Sequence, residues 1–488
     1  MTGAASPRPT GEAAAAVAIC ADGELAEAVC RCLAVRGLRA HPVGPDQASA
    51  VIAAGTVVGW ALAELPDPTV AARVAIAATA AAQAGRPLVL LLPPARVTGP
   101  GARERAAALA HLRAAGAAIV HDPDPWIEAL LLVALFGPPR GPRVAMIADD
   151  TSLVAVATAA AAAEAAQLGA RAHELMADPD APTDVVLHDA ALAPPASIGP
   201  DRSRPLAVPV FARAELADAR PALHGVRAAL GAALAVGRAM ERITAGLGPA
   251  PSARPRDLTV DAARVERQLA RIGSWDRRVG DHECKVLLAA YGVPVIRQAV
   301  ATTPSAATRI AKKVGFPVEL KPYGNEVATE RAGCPIARAI TTASEVRRGM
   351  ATVLTAAPPA AVSAAAPSGG DGAVIVRETP PSGRPAHARF ERVAGLGWIV
   401  VLEVPGAAEV LAAPCPLRPL DATGLAAMVA ATRLGDAEPD HAALADLLRR
   451  ASHLVVDHAD RIGALELSAV VGGPRTLVVD CVIELASS

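Results

Sequence analysis

From Ala15 to Leu247, apolar runs of four to eight residues alternate with stretches of helical period. That alternation leaves few folds open. A short apolar run flanked by helices is a strand buried on both faces, and parallel strands need such crossovers. Strands are predicted at Ala15–Cys20, Val57–Ala61, Arg86–Leu92 and Ala117–Val120, with helices at Glu24–Arg36, Val70–Ala84, Ala102–Ala115 and Pro125–Leu135. Asp124 is expected to cap the last helix, with Pro125 at its first position. The proline-rich joint Gly137–Pro142 opens a second unit. Its strands are expected at Val144–Ile147, Val185–Leu187 and Leu206–Phe211, its helices at Leu153–Gln167 and His224–Leu247.

Gly248–Pro255 reads as a linker, and the pattern changes after it. Helices are predicted at Asp281–Tyr291, Ser305–Val314, Ser344–Thr355 and His441–Ala459. Strands are predicted at Val293–Val300, Phe316–Lys321, Ala373–Glu378, Ala386–Val393, Trp398–Val404, Ala464–Val471 and Thr476–Leu485. This half reads as α+β and mostly antiparallel. The expected division is a disordered tail at 1–13, parallel αβ units at 14–138 and 139–247, a linker at 248–262 and the antiparallel domain at 263–488.

Charge excludes some functions. The formal net charge is −1, so no basic excess exists to neutralise a nucleic-acid backbone. The strongest apolar runs are too short to span a bilayer, and Met1–Pro9 lacks a secretory pattern, so a cytoplasmic protein is expected. The seven cysteines form no CxxC pair and no zinc spacing; they read as small buried hydrophobes with free thiols.

Lysine is the informative residue. Arginine has replaced it almost everywhere, yet four lysines survive within 37 residues: Lys285, Lys312, Lys313 and Lys321. Lys312 and Lys313 fall on a solvated helix face. Lys321 leaves an apolar strand into the glycine-containing loop Pro322–Glu326. A compact ammonium with three donors at such a place suits nucleotide phosphates.

The run "DHECKVLLAAYGVPVIRQAVATTPSAATRIAKKVGFPVELKPYGNE" carries that lysine. It resembles the opening of the ATP-grasp domain of NDP-forming acyl-CoA synthetases. "AVIVRE" (Ala373–Glu378), Pro419-Leu420 and "ALELSAVV…TLVVDCVIEL" resemble later parts of that domain. The upstream stretch through "PPRGPRVAMI" resembles the family's paired flavodoxin-like subdomains. The fold class this implies is α/β: two flavodoxin-like parallel αβα subdomains followed by an α+β ATP-grasp domain. The resemblance implies ATP and Mg²⁺ as cofactors, CoA as a substrate, and ligation of a carboxylic acid through acyl-phosphate and phosphohistidine intermediates. It assigns nucleotide contacts to Lys321, Lys285 and Glu378, and metal contacts to Glu466 and Asp480.

The chain departs from that pattern at four places. No histidine-bearing glycine loop follows the Arg86–Leu92 strand; His111 falls within a helix. The phosphate loop becomes Thr329–Pro335, where Glu330 adds negative charge and Pro335 removes an N–H. A glycine loop becomes Glu403–Gly406. The metal-binding asparagine becomes Ser468, and Asn325 is the only asparagine in the chain. No GxGxxG follows the first strand, so a CoA-binding Rossmann domain is not expected here and a separate CoA-binding chain or a homo-oligomer could complete the enzyme. Three functions stay open: an acid–CoA ligase, an ATP-grasp ligase with another acceptor, and a catalytically impaired protein that binds nucleotide in a regulatory or scaffold role.

Overall fold

The computed structural model describes residues 16–93, 101–147, 175–176, 183–189, 205–211, 222–245, 258–272, 278–324, 333–357, 372–405, 410–417, 440–472 and 475–486. Contacts group the chain into two compact units, 1–96 with 111–249, and 97–110 with 250–488.

The first unit holds two parallel sheets of five strands. The strands of the first are β1 (Ala16–Cys20), β2 (Arg39–Pro42), β3 (Val57–Ala61), β4 (Val89–Leu91) and β5 (Ala118–Val120), in the order β2-β1-β3-β4-β5. The second comprises β6 (Val144–Ile147), β7 (Leu175–Met176), β8 (Val185–Asp189), β9 (Leu206–Phe211) and β10 (Leu223–His224), in the order β7-β6-β8-β9-β10. Renumbered from its own first strand, the second repeats the 2-1-3-4-5 order of the first, which is the flavodoxin-like order. Helices α1 (Gly23–Val35), α2 (Ala48–Ala53), α3 (Pro68–Gln83), the last turn of α4 (Ala102–Ala114), α5 (Pro123–Leu131) and α6 (Val226–Thr244) accompany these strands; residues 102–110 of α4 group with the second unit.

One apolar core joins the two sheets, with Trp126, Leu130 and Leu131 of α5 beside Leu230, Leu234 and Val236 of α6. At its edge the buried Glu128 accepts from the Arg36 guanidinium at 3.0 and 3.2 Å and from the backbone N–H of His224 at 3.0 Å. Gly237 has no alternative at the joint: a Cβ there would stand 2.3 Å from the carbonyl oxygen of Gly141.

The second unit is antiparallel. Its six-stranded sheet runs β11 (Arg278–Val279), β20 (Leu477–Leu485), β19 (Ile462–Val471), β16 (Arg384–Val393), β17 (Gly397–Glu403) and β18 (Leu411–Pro414). A four-stranded sheet runs β12 (Gln298–Ala301), β15 (Val374–Glu378), β13 (Val318–Pro322) and β14 (Ala337–Ile340). Helices α7 (Ala262–Ile272), α8 (Asp281–Ala290) and α11 (His441–Asp457) bury the larger sheet's apolar face. Helices α9 (Pro304–Val314) and α10 (Ala343–Ala356) cover the smaller sheet. Thr303 caps α9 through its hydroxyl, Pro304 sits in its first turn, and Gly315 (φ 96°) follows its end.

The fold class expected from the alternation and from the resemblance is the one observed. Some elements differ. Asp122, not Asp124, caps α5, because Pro123 already occupies the first helical position. The strand expected from Val293 begins at Gln298. Val295 makes only an isolated bridge to Val478, next to Pro294, which has no N–H to give to a ladder. Strands β2, β11 and β14 carry too few apolar residues to announce themselves, and β18 is only four residues long, two of them alanine. The expected helix at Leu153–Gln167, the linker Gly248–Pro255, Asn325, Pro419-Leu420 and the 1–13 tail lie outside the described residues.

Candidate nucleotide site

The site is built where the two sheets of the second unit meet, at the start of β20. Lys321 ends β13 and is 1% exposed. Its ammonium donates to Asp480 Oδ1 of β20 at 2.7 Å and lies 3.4 Å from Asp281 Oδ2 of α8. Lys285, one helical turn beyond Asp281, donates to that carboxylate at 2.9 Å. It also donates to Gln298 Oε1 at 2.8 Å and to the carbonyl of Val479 at 2.7 Å. Asp281 Oδ1 accepts from the backbone N–H of Cys481 at 3.0 Å. Arg377, wholly buried on β15, donates to Glu319 Oε2 at 3.0 and 2.7 Å and to the Val479 carbonyl at 3.1 Å.

Three buried cations thus balance three buried carboxylates in one cluster, as buried charge requires, with the half-exposed Arg338 3.7 Å from Glu319 at its rim. Burial pushes Asp281 up, but Lys285 and then Lys321 outweigh it and hold the carboxyl well below its usual range. Burial pushes Lys321 down, and the charges of Asp281 and Asp480 reverse that and raise it. Cys334, in the short loop before β14, is buried beside the cluster. Desolvation lifts its thiol to about 11, so it is a neutral thiol at pH 7.

Past Asp480 the larger sheet shows a polar face. Ala386, Ala388 and Phe390 of β16 point to the core, while His387, Arg389 and Glu391 take the other side. Cα partners across the strands run Asp480, Ser468, His387, Glu403. These four side chains form a single row over β20, β19, β16 and β17. Ser468 Oγ lies 2.9 Å from His387 Nδ1. Glu466, two residues before Ser468, pairs with Arg389, which also holds Glu391 and Glu484. The same face carries Arg103 of α4, whose guanidinium donates to Glu403 Oε1 at 3.1 Å through Nε and 2.7 Å through Nη2. Arg103, His387, Arg389, Glu403, Glu466, Ser468 and Asp480 line one pocket.

Of the sequence candidates, Lys321, Lys285 and Asp480 come together in the buried cluster, and Glu466 shares the pocket with Asp480. Glu378 stands apart, at the end of β15. Burial raises its pKa, but Arg297 at 2.8 Å and Arg475 at 3.0 Å outweigh it and keep the carboxyl below its usual value. His111 sits on α4 and groups with the first unit; burial lowers its pKa. Sequence reasoning missed Arg103, Glu319, Arg377, His387 and Arg389. Only His387 and Arg389 left a trace, the strict alternation of "AHARFE".

Two carboxylates, Glu466 and Asp480, suit a magnesium ion, which takes one or two protein carboxylates and completes its shell with phosphates and water. Among the described residues no group of three or more His, Cys, Asp and Glu side chains is placed to hold a metal on protein ligands alone. No helix among them is long and apolar enough to cross a membrane.

Residues 272–485 match the family model described as an ATP-grasp domain. No curated protein matches the chain. Among solved structures, the dinucleotide-forming acetyl-coenzyme A synthetase 1 of Ca. Korarchaeum cryptofilum, in complex with coenzyme A, Ca-AMPCP and HgCl+, is 22% identical with a TM-score of 0.39. The match covers 45% of this chain and 99% of that one. A protein from Pyrococcus horikoshii Ot3 is 22% identical with a TM-score of 0.41, over 46% of this chain and 99% of that one. Residues 272–485 form an ATP-grasp domain, as the sequence resemblance implied for this end of the chain.

Proposed function

We propose that the chain binds Mg·ATP at the junction of the two antiparallel sheets and uses it to join a carboxylic acid to CoA. One observation carries this reading. Lys321 and Asp480, a phosphate-type cation and a metal-type acid 159 positions apart, meet at 2.7 Å within an ATP-grasp domain. Charges of those two kinds belong side by side where a metal–phosphate complex sits. Before nucleotide arrives they neutralise one another.

On this reading, Lys321 and Lys285 turn to the phosphates, and Asp480 with Glu466 holds Mg²⁺. Mg²⁺ supplies charge neutralisation at the phosphates. The protein's own contribution is position and charge, which make up almost all of catalysis in phosphoryl transfer. Glu378 is further from this centre and would meet the base end of the nucleotide.

A second reading rests on a specific feature of the same cluster. Every charge in it already has a partner, and Lys321 is 1% exposed. A site so completely paired fits a protein that binds nucleotide without turning it over. Hydroxylamine trapping separates the two. With ATP, Mg²⁺ and a panel of short carboxylic acids, a ligase yields an acyl hydroxamate and ADP. ATP binding with no hydroxamate from any acid, with or without CoA, supports the second reading and removes the first.

A further inference from the structure

The row Asp480, Ser468, His387, Glu403 crosses four adjacent strands, three spacings of about 4.8 Å, so it is about 14 Å long. Each end is an acid with a cation on it. Lys321 sits on Asp480 at 2.7 Å, and Arg103 sits on Glu403 at 2.7 Å. Between them lie a hydroxyl and an imidazole, Ser468 and His387, in contact at 2.9 Å. A cation at each end with a hydroxyl and an imidazole between is a track for an extended polyanion. Nothing about the row suits an apolar ligand.

Arg103 is the unexpected member. It lies 300 positions from Glu403 along the chain and outside the residues that match the ATP-grasp model. Residues 97–110 nevertheless group with the C-terminal unit. Its side chain is 44% exposed, so it is free to swing, whereas Lys321 is 1% exposed. It already binds a carboxylate through two N–H groups, and the guanidinium fork makes the same contact with phosphate.

We propose that this row is the track of the nucleotide's triphosphate and that Arg103 grips its terminal phosphate, making the site prefer ATP to ADP. This deepens the nucleotide reading above and rests on it. When the triphosphate lies along the row, Arg103 leaves Glu403 for the terminal phosphate. Lys321 stays at the inner end, and Ser468 and His387 donate to the phosphates between. The position is a binding and discriminating one; no bond is made or broken by Arg103.

Titration calorimetry of the full chain with Mg·ATP and Mg·ADP tests it, using wild type, Arg103→Ala, Arg103→Lys and Lys321→Met. The expected result is a loss of at least tenfold in ATP affinity for Arg103→Ala, with ADP affinity changed less than threefold. Arg103→Lys should fall between, because it keeps the charge and loses the fork. Equal losses for ATP and ADP would place Arg103 elsewhere on the nucleotide and overturn the proposal. Unchanged or tighter ATP binding by Arg103→Ala overturns it too, the second result meaning that the arginine obstructs the site. If Lys321→Met loses ATP while Arg103→Ala keeps it, the nucleotide reading stands and only the role of Arg103 fails. If wild type and Arg103→Ala both bind no nucleotide, the two readings fail together.

Discussion

Lys321 Nζ lies 2.7 Å from Asp480 Oδ1, and this contact fastens the four-stranded sheet to the six-stranded sheet. The last strand of the chain, β20, therefore does two things. Its apolar side chains complete the core under the larger sheet, and residues 479–480 gather the charges of the smaller one. On the proposed function, stability and nucleotide binding are coupled at this point, so each can be used to probe the other.

Lys321→Met should destabilise the C-terminal unit by about 3–5 kcal/mol, because the buried Asp480 and Asp281 carboxylates lose the ammonium they share. The double variant Lys321→Met, Asp480→Asn should recover most of that loss, since both members of the pair then leave together. Urea unfolding of the two variants measures it. A double variant no more stable than the single one contradicts the pairing.

Arg377 and Glu319 make a second test of the same buried cluster. Arg377→Met removes both short hydrogen bonds to the Glu319 carboxylate, which is 4% exposed and keeps the half-exposed Arg338 at 3.7 Å, and should cost about 3 kcal/mol. Arg377→Met with Glu319→Gln should be milder than Arg377→Met alone. The urea midpoints give the comparison.

His224 sets a pH dependence in the first unit. Burial, then the positive charge of Arg36, lowers its pKa to about 4, against about 6.5 in an unfolded chain. The unfolded state therefore binds the proton first as pH falls. Stability is fully present above pH 6.5 and is lost as the pH falls from there to about 4. His224→Asn should flatten this part of the melting-temperature profile relative to wild type. Parallel profiles for the two proteins would remove His224 as the cause.

Ser468 stands where the resemblance expects an asparagine, and a hydroxyl is a poorer neutral ligand for a hard cation than an amide oxygen. Ser468→Asn should tighten Mg²⁺-dependent ATP binding several-fold while leaving Mg²⁺-free binding unchanged. Titrations with and without EDTA check this.

Much of the fold was legible because buried parallel strands and helices have different periods, and both show in the first half. The lysine cluster was legible for a compositional reason: in a chain that uses arginine almost everywhere, a lysine at the end of an apolar strand stands out. The converse explains what was missed. Arg103, Arg377 and Arg389 are three among many arginines, and nothing local separates the buried Arg377 from a solvated one. Its burial follows from Glu319 and Val479, which are distant in sequence. The row from Asp480 to Glu403 depends on strand register, which turns and bulges decide, and no single segment records it.

The central claim is that Lys321 and Asp480 belong to a nucleotide site. A thermal melt with and without millimolar Mg·ATP tests it most directly, on wild type and on Lys321→Met, Asp480→Asn. Ligand at 100 times its Kd stabilises by about 2.7 kcal/mol, which for a domain of this size is a rise of roughly 5–10 °C. The account predicts that rise in wild type and its absence in the double variant. No rise in wild type, or an equal rise in both proteins, would contradict it.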